Sequence, residues 1–236
     1  MKGDFFKFPS TPHLATLGDI EIRGDKVMLE SERNHFLQHN LTVEEKVDGA
    51  NLGISFDAKG NIRAQNRGAY LHIPGSGQWK KLGEWLASRN DILFENLADR
   101  YILFGEWCYA QHSVFYDRLP DWYLGFDIYD KQAGRFLSSI RRDEFFGKMK
   151  IISVPKIAHG CFTLADLRNL LSQSKLCSQP AEGLYLRFDR DDWLVLRAKL
   201  VRPAFIQSME QHWSHSIIKP NCLNPDLHNK KMPGLL

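Results

Sequence analysis

The chain has 236 residues, 43% hydrophobic and 25% charged, an ordinary globular composition, long enough to bury a real core in one large domain or two small ones. No apolar stretch is long enough to cross a bilayer, and Met1 to Pro12 carries Lys2 and Lys7 without the apolar run of a signal peptide, so a soluble cytoplasmic protein with no membrane partner is expected. The net charge of +3 permits nucleic-acid binding without arguing for it. Cys108, Cys161, Cys177 and Cys222 form no C-x-x-C pair and read as reduced, mostly buried thiols. His212 and His215 near Cys222 fit surface or core histidines better than a metal site.

Strand signals dominate in chain order. Leu41 to Val47 runs into Asp48-Gly49-Ala50-Asn51, and Leu52 to Phe56 follows as a second strand. The turn Asp57 to Asn61 leads into Ile62 to Gln65. Gly75 to Asn96 has a helical pattern, with Trp79, Leu82, Leu86 and Leu93 on or near one face. Tyr101 to Trp107 and Trp122 to Tyr129 are strand-like. Ser138 to Lys150 is helical, capped by Ser138 or Ser139. Thr163 and Asp166 form a capping-box pattern opening a helix from Leu164 to Gln173. Gly183 to Phe188, the turn Asp189 to Asp192 and Trp193 to Leu200 form a hairpin. Pro203 begins a last helix reaching about His212, and the tail after Pro220 is turn-rich with no core pattern. The order predicts an α+β fold of largely antiparallel sheets flanked by helices. With no Gly-, Ser- or Pro-rich linker, residues 1–236 read as one domain, with a core at 41–200 and a helical tail at 201–236.

The chemistry gathers at strand ends. Glu45-Lys46-Val47-Asp48-Gly49-Ala50-Asn51 places a lysine before a polar turn, and Gly49 lets the chain turn and a ligand approach the backbone. Alone, this reads better as a hairpin with an exposed lysine. Glu106 and Asp127 end two apolar strands, and Glu182 stands at the mouth of the last hairpin. Register was expected to set Glu182 facing Lys199 across that hairpin. Arg197 and Lys199 share one strand face, where two cations repel unless an anion lies between them, and a triphosphate would serve. Each residue also has a plain reading: Phe126 as core beside Leu124 and Ile128, the two glutamates as strand-end charges, Arg67 as a solvated turn residue.

In order, these segments resemble the motifs of the covalent nucleotidyltransferases, a superfamily of ATP-dependent RNA and DNA ligases and mRNA capping guanylyltransferases. They are most similar to the phage-type RNA ligases that seal nicks in duplex RNA. Lys46 to Asn51 resembles motif I (K-x-D-G-x-N), Arg67-Gly68 motif Ia, Glu106 motif III, Phe126-Asp127 motif IIIa, Glu182-Gly183 motif IV and Arg197-Ala198-Lys199 motif V. The resemblance implies a ligase adenylation domain of ATP-grasp-like type without an OB-fold. It makes Lys46, Glu182 and Lys199 catalytic, with Lys46 attacking the α-phosphorus of ATP and keeping AMP. Glu45, Asn51, Arg67, Glu106, Phe126, Asp127 and Arg197 would complete the nucleotide site. Asn51 and Arg67 would serve the ribose and phosphates, Glu106 the ribose hydroxyls, Phe126 the adenine ring. Asp127 would support the site, Glu182 would engage Mg2+ or Mn2+, and Lys199 with Arg197 would contact the α-phosphate. Motif V often begins with lysine where this chain has Arg197, which keeps the charge and changes the geometry. Arg63 is a further phosphate candidate. Nearby cations such as Arg197, Lys199 and a magnesium ion are expected to lower the Lys46 pKa.

The implied partners are RNA ends or a nicked duplex, and an end-processing kinase or phosphatase. DNA ligase and capping activity on the same core are alternatives. Both usually add an OB-fold, for which the 37 residues after Lys199 look too few. A nucleotide-binding module that has lost catalysis is a third reading, opposed by the complete motif set. For RNA contact the sequence offers Arg202, Lys219, Lys230, Lys231 and Trp213, although Trp213 fits a buried helix face as well.

Overall fold

The computed structural model describes residues 5–18, 27–98, 100–208 and 218–229. Among them the elements run α1 (Glu30–Leu37), β1 (Leu41–Lys46), β2 (Ala50–Phe56), β3 (Ile62–Gln65), α2 (Leu82–Ala87), α3 (Asn90–Leu97), β4 (Tyr101–Trp107), β5 (Tyr123–Asp130), β6 (Arg135–Phe136), α4 (Ser139–Met149), β7 (Ile152–Ser153), β8 (Lys156–Gly160), α5 (Leu164–Leu170), β9 (Gly183–Arg190), β10 (Trp193–Val201), α6 (Pro203–Ser208) and α7 (Pro225–Asn229). The strands form two sheets. One has the order β10-β9-β1-β8; the other runs β3-β2-β4-β5-β6, with β7 added alongside β5. Only β5 and β7 pair in parallel, so the expected α+β class with antiparallel sheets holds, and neither sheet closes into a barrel among the described residues.

Side-chain alternation on β4 and β5 divides the core. Leu103 and Trp107 of β4 and Tyr123 and Ile128 of β5 face a layer with Leu86 of α2, Leu93 and Leu97 of α3 and Phe146 of α4. Ile102 and Phe104, with Leu124 and Phe126, face the other way and meet Phe8 and Val47. Beyond the first sheet, Leu41, Val43, Leu184, Leu186 and Leu200 pack against Phe36 of α1 and Leu167 of α5. The middle layer places the strand ends of both sheets around one space.

Local signals account for most element ends. Ser138 Oγ accepts from the Arg141 amide, and Thr163 and Asp166 form the reciprocal capping box. The helical pattern over Gly75–Asn96 is divided into a 3-10 turn at Gly77–Trp79, α2 and α3. The break follows from local competition: Ser88 Oγ donates to the Trp85 carbonyl, and Arg89 lies over the Trp85 ring at 4.4 Å while bonding Asp121 at 2.8 Å. The last hairpin is tighter than expected, with only Asp191 and Asp192 between its strands; Asp191 has φ 51°, which Asp tolerates.

Two segments without periodicity are tied to the core. Phe6 stacks on Tyr129 with ring centroids 3.8 Å apart, Phe8 is buried, and on β10 the Lys199 carbonyl accepts from the Leu14 amide while the Lys199 amide donates to the Pro12 carbonyl. The tail after Pro220 does have a core contact: Asn221 is buried and Leu223 packs on the middle layer. The final helix is described to Ser208, and His212, Trp213, His215, Lys230 and Lys231 lie outside the described residues. Among the described residues no helix is long and apolar enough to cross a membrane. All four cysteines are free, Cys108 and Cys177 buried, Cys161 and Cys222 exposed.

Candidate active site

A cavity of about 510 Å³ opens between the sheets. Six of the residues singled out in the sequence line it: Glu45, Lys46, Arg67, Glu106, Phe126 and Lys199. Phe8, Thr11, Val154 and Tyr185 line it too and were missed. Tyr185 was legible, since hairpin register sets it opposite Lys199 on one face. Phe8 and Thr11 come from a segment with no strand or helix pattern and left no signal.

Lys46 is the last residue of β1, and its Nζ donates to Glu182 Oε2 at 2.6 Å. The chain turns sharply here because Gly49 lies against β4. A Cβ on Gly49 would sit 2.9 Å from the Trp107 carbonyl and 3.2 Å from the Glu106 Cβ. The glycine thus serves the protein's own packing, where the sequence suggested ligand approach. Asp48 is fixed from the other side. Its Oδ2 accepts from the amides of Ser113 at 2.7 Å and Val114 at 2.9 Å, and its own amide donates to Tyr116 Oη at 2.8 Å.

The protein's own groups do not lower the Lys46 pKa. Burial pulls the ammonium down, but Glu182, Glu106 and Asp48 outweigh it and hold Lys46 above the ordinary lysine value. Arg197 turns away from Lys46 to bond Asp127, as shown below, and so does not weigh against these carboxylates. Glu106 is pushed up to about 8, chiefly by burial, against the opposing pull of Lys46 and Arg67. Burial likewise raises Glu182, with Lys46 pulling it back.

Phe126 owes its position to a β-bulge. Phe104 pairs with Asp127 and the next residue, Gly105, with Gly125, so Phe126 has no partner across the ladder. Its displaced carbonyl accepts from Arg142 at 2.7 Å and Arg187 at 3.2 Å. Both arginines are fully buried and paired: Arg142 with Glu44 at 2.6 Å, Arg187 with Asp127. The network joins α4, both sheets and the cavity aromatic.

The structure sets several of the predicted site residues in surroundings the sequence did not indicate. Arg197 does not turn to the cavity: it lies over Phe8 at 4.7 Å and Phe136 at 4.5 Å and bonds Asp127 at 3.3 Å. The anion expected between Arg197 and Lys199 is therefore, for Arg197, a protein carboxylate. Asp127 is fully buried among arginines, behind Phe126. Glu182 does not face Lys199 in register: Lys199 opposes Tyr185, and Gly183 opposes Val201. Arg63 is held by Asp57 at 3.5 Å and lies over Tyr70, away from the cavity. The Glu45 carboxylate is turned to Ser174 Oγ at 2.5 Å and the Lys175 amide at 2.8 Å. Asn51 lies directly opposite Glu106 across β2 and β4. Both Asn51 amide atoms and Glu106 Oε2 are buried without a hydrogen-bond partner.

Unsatisfied buried donors and acceptors side by side suit a hydroxylated ligand, because burying them unpaired is costly. An aromatic ring, a lysine nucleophile and cations around the same cavity suit a nucleotide. The family model for RNA ligase matches residues 39–201. The chain belongs to the RNA ligase family. The match begins just before β1 and ends with β10, so it contains both sheets and every predicted site residue. No curated protein sequence matches.

Solved structures of Naegleria gruberi RNA ligase share the fold. A lysine-to-methionine mutant with AMP and Mn superposes with TM-score 0.60 at 15% identity, covering 88% of this chain and 59% of that one. A lysine-to-alanine mutant with ATP and Mn gives 0.59 at 17% identity, covering 87% and 61%. The enzyme with PPi gives 0.58 at 16%, covering 90% and 64%. The chain thus spans about three fifths of the length of these RNA ligases.

Proposed function

We propose that this member of the RNA ligase family is an ATP-dependent RNA ligase working through a lysyl-AMP intermediate. The observation that carries the reading is Lys46, a strand-end lysine at the wall of the cavity lined by Phe126, Glu106, Arg67 and Lys199. In this reading Lys46 Nζ forms a bond to the α-phosphorus of ATP as the bond to the leaving pyrophosphate breaks. The nitrogen must first lose a proton, and Glu182 Oε2 at 2.6 Å is the acceptor in reach. Phe126 stacks on the base, the Glu106–Asn51 pair takes the ribose hydroxyls, and Lys199 and Arg67 hold phosphate oxygens. Arg197 and Asp127 act behind the base, as buried support for Phe126. AMP then passes to a 5′-phosphate RNA end, and a 3′-hydroxyl displaces it. A nick in duplex RNA is the substrate form the motif likeness favours.

The donor set fits a divalent ion of the Mg2+ or Mn2+ kind. The charged ligands near Lys46 are carboxylates, and among the described residues no cluster of three or more His, Cys, Asp or Glu could cage a metal. Such an ion would be held by Glu182 together with the nucleotide's phosphates. When bound it supplies positive charge to the phosphate oxygens. We assign the whole 1–236 chain to one nucleotidyltransferase domain acting in the cytoplasm, with an end-processing kinase or phosphatase supplying sealable ends.

The test is incubation with Mg2+ and ATP labelled on the α-phosphate, followed by denaturation. The wild-type chain should retain label, and Lys46→Ala should retain none with an unchanged circular dichroism spectrum. Full labelling of Lys46→Ala would overturn the reading. GTP labelling in place of ATP would favour the capping alternative.

A further inference from the structure

We propose that the segment Ile218–Asn224 is a strap that positions Asp48, and through it Lys46, with Asn221 as its positioning residue. The inference rests on the ligase reading only for its kinetic consequence.

The strap acts on the connection between β4 and β5, residues 108–122. Asn221 is 3% exposed although it is an amide, a burial that demands partners. Its Nδ2 donates to the carbonyls of Cys108 at 2.8 Å and Ala110 at 3.1 Å, and its Oδ1 accepts from the Tyr116 amide at 2.9 Å. One side chain thereby closes both ends of a seven-residue turn of chain, Ala110 to Tyr116. The backbones add rungs: Asn221 to Tyr109 at 2.9 Å, Cys222 to Tyr116 at 2.8 Å, Leu119 to Cys222 at 3.0 Å and Gln111 to Lys219 at 2.7 Å.

That same turn holds Asp48. Ser113 and Val114 give their amides to its carboxylate and Tyr116 Oη accepts from its amide, so three contacts come from the stretch the strap closes. Asp48 is two residues from Lys46 and is one of the three carboxylates that set the Lys46 charge. The connection has no regular secondary structure of its own between β4 and β5. A loop without a ladder loses its geometry when the groups that close it are removed. The strap is thus a remote determinant of how the nucleophile is presented, 175 positions away from Lys46 in sequence. In this reading Asn221 touches neither nucleotide nor reacting atoms.

The test uses the full chain and two readouts. Hydrogen exchange by mass spectrometry should show peptides spanning 108–122 exchanging about tenfold faster in Asn221→Ala, with β1, β2 and β9 unchanged. The rate of label transfer at saturating ATP should fall about tenfold while the KM for ATP moves less than about threefold. Two controls separate positioning from general loss of stability. Asn224→Ala alters the strap where its side chain bonds only the Asp226 amide, and should change neither readout. Leu97→Ala removes a buried core side chain of α3, and should lower the melting temperature without the kinetic split. Unchanged exchange at 108–122 in Asn221→Ala would overturn the strap, as would faster exchange with an unaltered transfer rate. An equal rate loss in Leu97→Ala would also overturn it. If the wild-type chain takes up no label, the ligase reading falls and the exchange data alone decide whether the strap holds the loop.

Discussion

Glu106 shows how burial sets chemistry at a single residue. A carboxyl pushed up to about 8 keeps its proton through neutral pH in the folded chain, while in the unfolded chain it ionises near 4.5. The folded state therefore binds more protons between these values, and stability contributed by Glu106 is full below about 4.5 and lost as pH rises toward 8. Glu106→Gln cannot ionise and should escape this loss. Its denaturation midpoint, compared with wild type, should become more favourable from pH 5 to pH 8.5; a difference that is flat or moves the other way would show that Glu106 ionises normally. A neutral Glu106 can also donate as well as accept, which suits it, with Asn51 opposite, to hydroxyl ligands. The Lys46 pKa is raised as well, but by its acidic neighbours and against its burial. Three carboxylates outweigh its burial, so it enters the cavity as an ammonium that must be deprotonated before it can act.

At the scale of elements, the sequence spoke clearly where a side chain serves its own strand or cap. The Ser138 cap, the Thr163 box and β1 ending at Lys46 were all legible, because local hydrogen bonding and alternation determine them. Six of the residues named by the motif resemblance line one cavity. What the sequence could not show is long-range pairing. The Arg197–Asp127 pair was not legible because its members lie 70 residues apart, and the Phe126 bulge depends on register with β4. Arg142 was unremarkable in its helix, yet it bonds Glu44 98 residues away and the Phe126 carbonyl. Arg142→Met alone should cost about 3–5 kcal/mol, because it strands a buried Glu44. Adding Glu44→Gln should restore much of that stability in urea denaturation. The double variant still lacks the 2.7 Å bond to Phe126, so its KM for ATP should rise while the stability returns. Full recovery of both would make Arg142 a purely structural residue.

For the whole molecule, the two sheets enclose one lined cavity, while its charge offers little to a long polyanion. The net charge is only +3, so long-range attraction to a phosphate backbone is weak. Several cations are also already engaged. Arg202, a candidate for RNA contact, donates to the carbonyls of Ala181 at 3.0 Å, Leu171 and Ser172 and so fastens the start of α6. Arg89, Arg100 and Arg142 are each paired with an aspartate or glutamate. Lys219 is exposed, but it sits on the strap next to Asn221, so cutting the chain after Pro203 removes two things at once. With the strap gone, label transfer and sealing should both fall. Binding of nicked duplex RNA by the intact chain should be weak and strongly dependent on salt. Each neutralised phosphate contributes just under one unit to the slope of log affinity against log salt, so about four contacts predict roughly a tenfold loss on doubling the salt. Fluorescence anisotropy with a labelled nicked duplex measures that slope directly. Tight binding with a slope near zero would mean that recognition is carried by stacking and shape, and would sink the view that this chain relies on a partner to hold its RNA ends.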